Sequence, residues 1–395
     1  MKTLRFVAMT ALAMTACAFQ TATAQDDKPK FSFKPSGRIL VDGALFAPTG
    51  DGFADGFQLT DIRLGGKATY GNWQAKIDIG YSLGKIGMKD VYIQYDFNKH
   101  NFIRGGYFVH QFGYQAATSS SFKTAMEAPV TDTYFNATGR NLGIMYVHDK
   151  DAFFAGVSAI VGSKISDPSS NYGKVSAGGI TRLVWRPIRS EGNLVQVGIS
   201  AWYQSANYPK ESYEVDGVTH YRAGQPSFAL SAQFPTRVDK VDMLSTTVSD
   251  ARSQFKLSPE LALSTGRFAL EAQYYYMNIN RKNGLKHYQA QGAYGQLRCL
   301  LLGDRQYGYS SVDAGVALPS PKTLELVLGY NYTNGNYRQA GINAGINNDY
   351  SVTLNYYINK YMLCRLNWTY ANVRDSEVMF KRHVNIIQAR LQFKF

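Results

Sequence analysis

From Gln58 to the C-terminus the chain alternates apolar and polar residues in segments of about ten or more. Ile62, Leu64, Gly66, Ala68 and Tyr70 share one parity, and Asp61, Arg63, Gly65, Lys67 and Thr69 share the other. Trp73, Ala75, Ile77, Ile79 and Tyr81 oppose Gln74, Lys76, Asp78, Gly80 and Ser82. The last stretch sets Ile387, Ala389, Leu391, Phe393 and Phe395 against Gln388, Arg390, Gln392 and Lys394. Successive side chains of a strand point to opposite faces, so each segment reads as a two-faced strand. Ordinary strands average five or six residues, whereas a tilted strand needs about ten to cross a bilayer. Aromatic runs such as Tyr274-Tyr275-Tyr276, Tyr356-Tyr357 and Trp368-Tyr370 fall near segment ends, as interfacial girdles require. Backbone polar groups in lipid must all be paired, so a spanning sheet has to close on itself.

Composition removes the competing classes. Aromatics make up 14% of the 395 residues and charged residues only 18%, which fits neither a disordered chain nor a coiled coil. The longest apolar run, Phe6 to Phe19, is too short for a spanning helix. With Lys2 and Arg5 before it and Ala22-Thr23-Ala24 after it, that run predicts a signal peptide over residues 1–24. Met14-Thr15-Ala16-Cys17 is a weaker, lipoprotein-like cut. Residues 25–395 then form one barrel domain. Losing Lys2 and Arg5 takes the formal charge from +13 to +11. Export and the lack of a basic run argue against a nucleic-acid partner and leave anionic lipid or small anions. Cys299 and Cys364 match no metal spacing, and their pairing stays open.

Seventeen segments alternate, but a bacterial single-chain barrel has an even number of strands. Tight turns fall at 71–72, 98–101, 149–151, 187–192, 264–266 and 359–360. Long connections fall at 113–138, 163–173 and 334–347. Counting inward from both ends places segment 227–234 inside one long loop, about 205–251. Sixteen strands remain: 36–46, 57–70, 73–83, 88–97, 102–112, 139–148, 152–162, 174–186, 193–204, 253–264, 267–279, 287–301, 322–333, 348–358, 361–372 and 382–395. The predicted fold is an all-β transmembrane antiparallel barrel with short periplasmic turns and long extracellular loops. That many strands leave room for a water-filled channel.

If the apolar parity faces lipid, the polar parity lines water. Inward bases are Arg38, Arg63, Lys67, Lys76, Arg104, Arg182, Arg186, Lys256, Arg298, Arg365 and Arg390. Inward acids are Asp42, Asp61, Asp78, Asp90, Asp96, Glu260, Glu271 and Glu325. Most of these pair across strands, but a positive excess in a narrow tube concentrates anions. Segment 113–138, with Lys123 and nearby Arg140, is a candidate constriction; its plain reading is a solvated loop. No H-E-x-x-H, G-x-S-x-G or phosphate-cradling glycine loop occurs, and the six histidines are scattered, so catalysis and cofactors find no support.

Several stretches resemble the phosphate-selective porin O and P family. They include Ile62-Arg63-Leu64-Gly65-Gly66-Lys67-Ala68, Met88-Lys89-Asp90-Val91-Tyr92-Ile93-Gln94-Tyr95 and Ile103-Arg104-Gly105-Gly106-Tyr107-Phe108. Gly139-Arg140-Asn141-Leu142-Gly143, Leu301-Leu302-Gly303-Asp304-Arg305-Gln306-Tyr307 and Val352-Thr353-Leu354-Asn355-Tyr356-Tyr357 continue the match, and Phe395 is similar to a terminal assembly aromatic. The resemblance implies a sixteen-stranded outer-membrane barrel, usually trimeric, with the third loop folded inward and arginines guiding anions. It would sit among outer-membrane lipid and lipopolysaccharide. The matched basic positions are Arg63, Lys67, Arg104, Arg140 and Arg305. Only Lys123 in the third loop is basic, beside Glu127 and Asp132, so no dense arginine ladder is present. The expectation is therefore a diffusion porin with a weak anion preference, phosphate included. Its pore residues are Arg63, Lys67, Arg104, Lys123, Arg140, Arg182, Arg298, Arg365 and Arg390. An oligosaccharide channel and a structural or adhesive barrel are the other readings, with a barrel-embedded hydrolase behind them.

Overall fold

The computed structural model describes residues 29–47, 52–82, 84–136, 139–162, 171–311, 314–379 and 381–395. The expected signal peptide lies outside them. Sixteen strands form one closed antiparallel barrel. They are β1 Ser32–Ala47, β2 Gly56–Tyr70, β3 Trp73–Ser82, β4 Lys85–Asn98, β5 Asn101–Val109, β6 Arg140–Lys150, β7 Phe153–Val161 and β8 Ala177–Ser190. The second half comprises β9 Asn193–Ser205, β10 Ala251–Thr265, β11 Phe268–Arg281, β12 Tyr288–Leu302, β13 Thr323–Tyr337, β14 Ile342–Tyr357, β15 Met362–Arg374 and β16 Lys381–Lys394. The first and last strands close the ring, in register from Arg38↔Lys394 to Ala47↔Asn385.

The barrel inverts the usual inside-out rule. Leu64, Ile77, Ile93, Ile144, Leu183, Leu366 and Ile387 are exposed on its outer face. Arg38, Asp42, Asp61, Arg182, Gln196, Glu325 and Arg365 are buried within. Alternation against a hydrocarbon solvent produces this arrangement. The aromatic runs split by the same parity: Tyr274 and Tyr356 face outward, while Tyr275 and Tyr357 are buried inside.

β9 pairs directly with β10, from Asn193↔Thr265 to Ser205↔Ser253, so the long loop between them adds no wall strand. It folds instead into two hairpins, Tyr208–Val215 with Val218–Ala223 and Ser227–Gln233 with Asp242–Ser249. The second hairpin packs Leu230, Met243, Leu244 and Val248 against Ile342, Ala344, Val373 and Ile386 of the wall. That apolar contact raises the wall there. β13 and β14 stay paired out to Tyr337↔Ile342, and the loop expected over 334–347 shrinks to residues 338–341.

The end at which β1 begins and β16 finishes has short turns, with one departure. The described residues of the connection after β12, 303–311 and 314–322, run into the lumen, where Tyr307, Ala314 and Val316 are buried. Glu325 anchors it. This fully buried carboxylate accepts from Arg298 Nε at 2.8 Å, Tyr307 Oη at 2.9 Å, Tyr357 Oη at 2.7 Å and Asn355 Nδ2 at 3.1 Å. Removing one partner of a buried pair strands the other charge. The Glu325→Ala protein is expected to lose about 3–5 kcal/mol of stability. The temperature at which the folded form converts to unfolded mobility in a detergent gel should drop clearly; an unchanged temperature would show the carboxylate to be dispensable.

Candidate pore and constriction

The connection between β5 and β6 enters the barrel rather than leaving it. It carries two short helices, α1 Gly113–Ala117 and α2 Val130–Phe135. On one side, Gly113 N donates to Ser200 Oγ at 2.9 Å and Gln115 N to Gln273 Oε1 at 2.8 Å. Gln115 Nε2 also donates to Glu271 Oε1 at 2.6 Å. On the other side, Arg365 donates to the carbonyls of Ala125 and Lys123, both at 2.7 Å. Arg390 Nη1 reaches the Met126 carbonyl at 2.7 Å, and Arg38 Nη1 reaches Ser120 Oγ at 2.7 Å. A segment tied to β9 and β11 at its start, to β1, β15 and β16 in its middle and to β10, β11 and β13 at its end crosses the lumen. Its small hydroxyl residues let the backbone approach the wall.

Two cavities flank this crossing. The larger, about 670 Å³, lies between it and β1–β6. The smaller, about 400 Å³, lies toward the terminal end, against the inward connection 303–322. Both are lined by Gln115, Thr118, Phe122, Lys123 and Lys394, which therefore form their common waist. Lys394 Nζ stands 4.2 Å from the Phe122 ring centroid, and Lys123 Nζ donates to the Gln115 carbonyl at 2.7 Å and to its Oε1 at 2.9 Å.

The expected pore residues fall into two groups. Arg63, Arg104, Lys123 and Arg140 line the larger cavity. Arg63 Nε is 3.2 Å from Asp61 Oδ1, and Arg140 Nε is 2.8 Å from Asp90 Oδ1. Arg104 has no carboxylate partner among the described residues: its Nε and Nη2 share Gln94 Oε1 at 2.9 and 2.7 Å. Lys67 is apart, bonded to Gln74 at 3.3 Å and lining neither cavity. The second group is buried and bound to the inward segments. Arg182 Nη2 lies 2.6 Å from Glu260 Oε1 and reaches the Ala314 carbonyl at 3.3 Å. Arg298 holds Glu325 and the Ala317 carbonyl, although it also edges the smaller cavity. Arg365 bonds Asn355 Oδ1 at 2.5 Å and the loop carbonyls. Arg390 grips Asp42 at 2.6 and 2.7 Å and Glu127 at 2.5 Å. Arg305 is exposed on the connection at the terminal end.

Parity reasoning missed several cations. Lys89 lies on the apolar parity, but a register shift between Ile77 and Ile79 turns it inward. It passes over Gly80, where a Cβ would stand 2.6 Å from Lys89 Cε. The inward glycine was the available signal. Arg237 arrives from the long loop, with Nε 2.7 Å from Glu127 Oε1 and Nη1 3.2 Å from Asp61 Oδ2. Glu127 would be raised by burial, but Arg237 and Arg390 hold its carboxyl down to about 2. Lys394 shares the inward parity of Arg390, as its place in the alternation implies, although it was not counted among the inward bases. The larger cavity is thus lined by seven basic side chains (Arg38, Arg63, Lys76, Arg104, Lys123, Arg140, Lys394) and three carboxylates (Asp78, Asp90, Asp132).

No group of His, Cys, Asp and Glu able to hold a metal occurs among the described residues. Cys299 and Cys364 are free thiols.

No curated protein sequence matches the chain. Solved structures do. The outer-membrane protein OmpT of Vibrio cholerae superposes with a TM-score of 0.58 at 9% identity, covering 94% of this chain and 99% of that one. Its in-vitro folded trimer form gives 0.59 at 9% identity, covering 92% and 99%. Salmonella typhi OmpF, solved with daunomycin, gives 0.54 at 11% identity, covering 94% and 99%. These likenesses show the shared barrel fold. The family model described as phosphate-selective porin O and P matches residues 49–395. The chain belongs to that family and is an outer-membrane porin.

Proposed function

We propose that the protein is a passive diffusion channel for small hydrophilic solutes with a weak anion preference. Phosphate is one of several anions it passes. The carrying observation is the lining of the larger cavity, where basic side chains outnumber carboxylates seven to three. A low-dielectric wall focuses that excess and raises local anion concentration. The waist at Lys123 and Lys394 borders both cavities, and Arg63, Arg104 and Arg140 feed it. Arg182, Arg298, Arg365 and Arg390 act by holding the inward segments in place. The family's arginine-guided route is thinned here, which supports preference rather than strict selectivity. We further propose that residues 1–24 are removed near Ala24. Residues 25–395 then form a single barrel domain that trimerises, as the OmpT trimer form does, and contacts lipid and lipopolysaccharide.

Under a potassium chloride gradient in a planar bilayer, the reversal potential should have the sign of an anion-preferring pore. A cation-selective sign would defeat the proposal, and absent conductance would favour an adhesive barrel. Arg104→Ala and Arg63→Ala should each lower the chloride-to-potassium permeability ratio by about twofold, as expected for removing one charge from a focused potential. An unchanged ratio would show that those charges are locally neutralised.

Glu127 gives a prediction of opposite sign. The Glu127→Gln protein leaves Arg237 less compensated and should raise the chloride-to-potassium ratio. The pH dependence follows from the lowered carboxyl. A depressed acid stabilises the fold fully above its ordinary value of 4.5, and the contribution fades as pH falls toward about 2. The native protein should lose stability through that window more steeply than Glu127→Gln, as read from acid-dependent gel mobility. Parallel curves would exclude the clamp.

A further inference from the structure

Strands β4–β6 break the polar rule of the inner face. Tyr92, Phe102, Phe108 and Met145 point inward and line the larger cavity. Phe108 and Met145 are buried with Val184 and Ala314, so seating the inward connection accounts for them. It does not account for Tyr92 and Phe102, which pack at the rim of that cluster and stay half-exposed. Aromatic surface held against water is unfavourable, and a flat apolar solute relieves it.

Arg104 stands on the same wall. Its guanidinium carbon lies 4.0 Å from the Tyr92 ring centroid and 5.2 Å from that of Phe102. Nε and Nη2 are fixed by Gln94, while Nη1 has no hydrogen-bond partner among the described residues. Gly106, opposite Tyr92 in the strand register, puts no side chain between Arg104 and Phe108. The wall therefore offers two things side by side: an oriented guanidinium stacked on Tyr92 with one edge facing the cavity, and the partly exposed ring of Phe102.

We infer that this wall is a subsite for monocyclic aromatic carboxylates. The carboxylate accepts from the free edge of Arg104, and the ring lies against Phe102 and the rim of Tyr92. Guanidinium donors match a planar carboxylate bidentately, and ring–ring contact adds to the gain from burial. Inorganic phosphate uses the cation but nothing of the aromatic surface. An aliphatic carboxylate of equal charge does the same. The inference rests on the anion-channel reading and deepens it by naming a solute class.

The test uses the full-length barrel in planar bilayers, with benzoate and acetate as the probes. Benzoate should reduce chloride current at a concentration about three- to tenfold lower than acetate, the range expected for one aromatic contact. Phe102→Leu keeps an apolar side chain but removes the flat ring, and should abolish most of that difference. Tyr92→Leu gives an independent second reading, and the chloride conductance of each variant reports that its barrel is intact. Equal effects of benzoate and acetate on a native pore that still prefers chloride would overturn the subsite alone. So would a benzoate advantage that survives both leucine variants. A cation-selective native pore would instead overturn the anion reading beneath it.

Discussion

Every feature of this molecule depends on one constraint: a backbone in hydrocarbon cannot leave its N–H and C=O groups unpaired. β1 meets β16 in register for that reason, and the sheet has no edge in lipid. Closure then dictates side-chain chemistry. Each strand presents alternate residues to lipid, so the other half of every strand is forced inside. A core of leucines inside would seal the barrel, and bare polar groups would be costly wherever water is excluded. The inner face resolves this by pairing. Each of the eight inward carboxylates meets a basic or amide partner, and several of those partners also hold a connection that has folded in. Arg390 joins Asp42 of β1 to Glu127 of the crossing segment, and Arg182 joins Glu260 of β10 to the Ala314 carbonyl.

Strand number and pairing were legible in the sequence because period-two alternation survives in the exposed face of every wall strand. The long loop was legible because parity left no other place for 227–234. The inner face was harder. Alternation says that a side chain points inward, not whether it meets water. Arg104 and Arg298 share the same pattern, yet one borders open space and the other lies under the connection 303–322. Lys89 was hidden because a single register shift reverses its face. Tyr275 and Tyr357 were read with the girdle because a run of tyrosines looks alike on both parities. Inside, their hydroxyls donate to Asp132 and Glu325.

The inward segments also decide where water can go. At the loop end, Phe112, Tyr134, Phe135, Trp202, Tyr275 and Tyr288 join the hairpin 227–249 in one apolar cluster within the barrel. This cluster fills the side walled by the later strands. The connection 303–322 fills another part from the terminal end, against Phe108, Phe154 and Val184. Of what stays open, the larger cavity lies along β1–β6, and the smaller, at the terminal end, lies against β11, β12 and β14–β16. The open space therefore changes side along the barrel, around the segments that have folded in.

That asymmetry changes how charge should be counted. The wall as a whole carries eleven inward bases and eight acids by parity, nearly balanced. The acids are concentrated where segments must be tied down, because a carboxylate can hold several partners at once: Glu325 accepts four hydrogen bonds, and Asp61 has Arg38, Arg63 and Arg237 within ion-pair distance. The open side keeps cations whose donors are only partly used. A near-neutral wall thus yields a positive passage, without any ladder of arginines. Selectivity in such a barrel follows less from total wall charge than from which charges the folded-in segments consume.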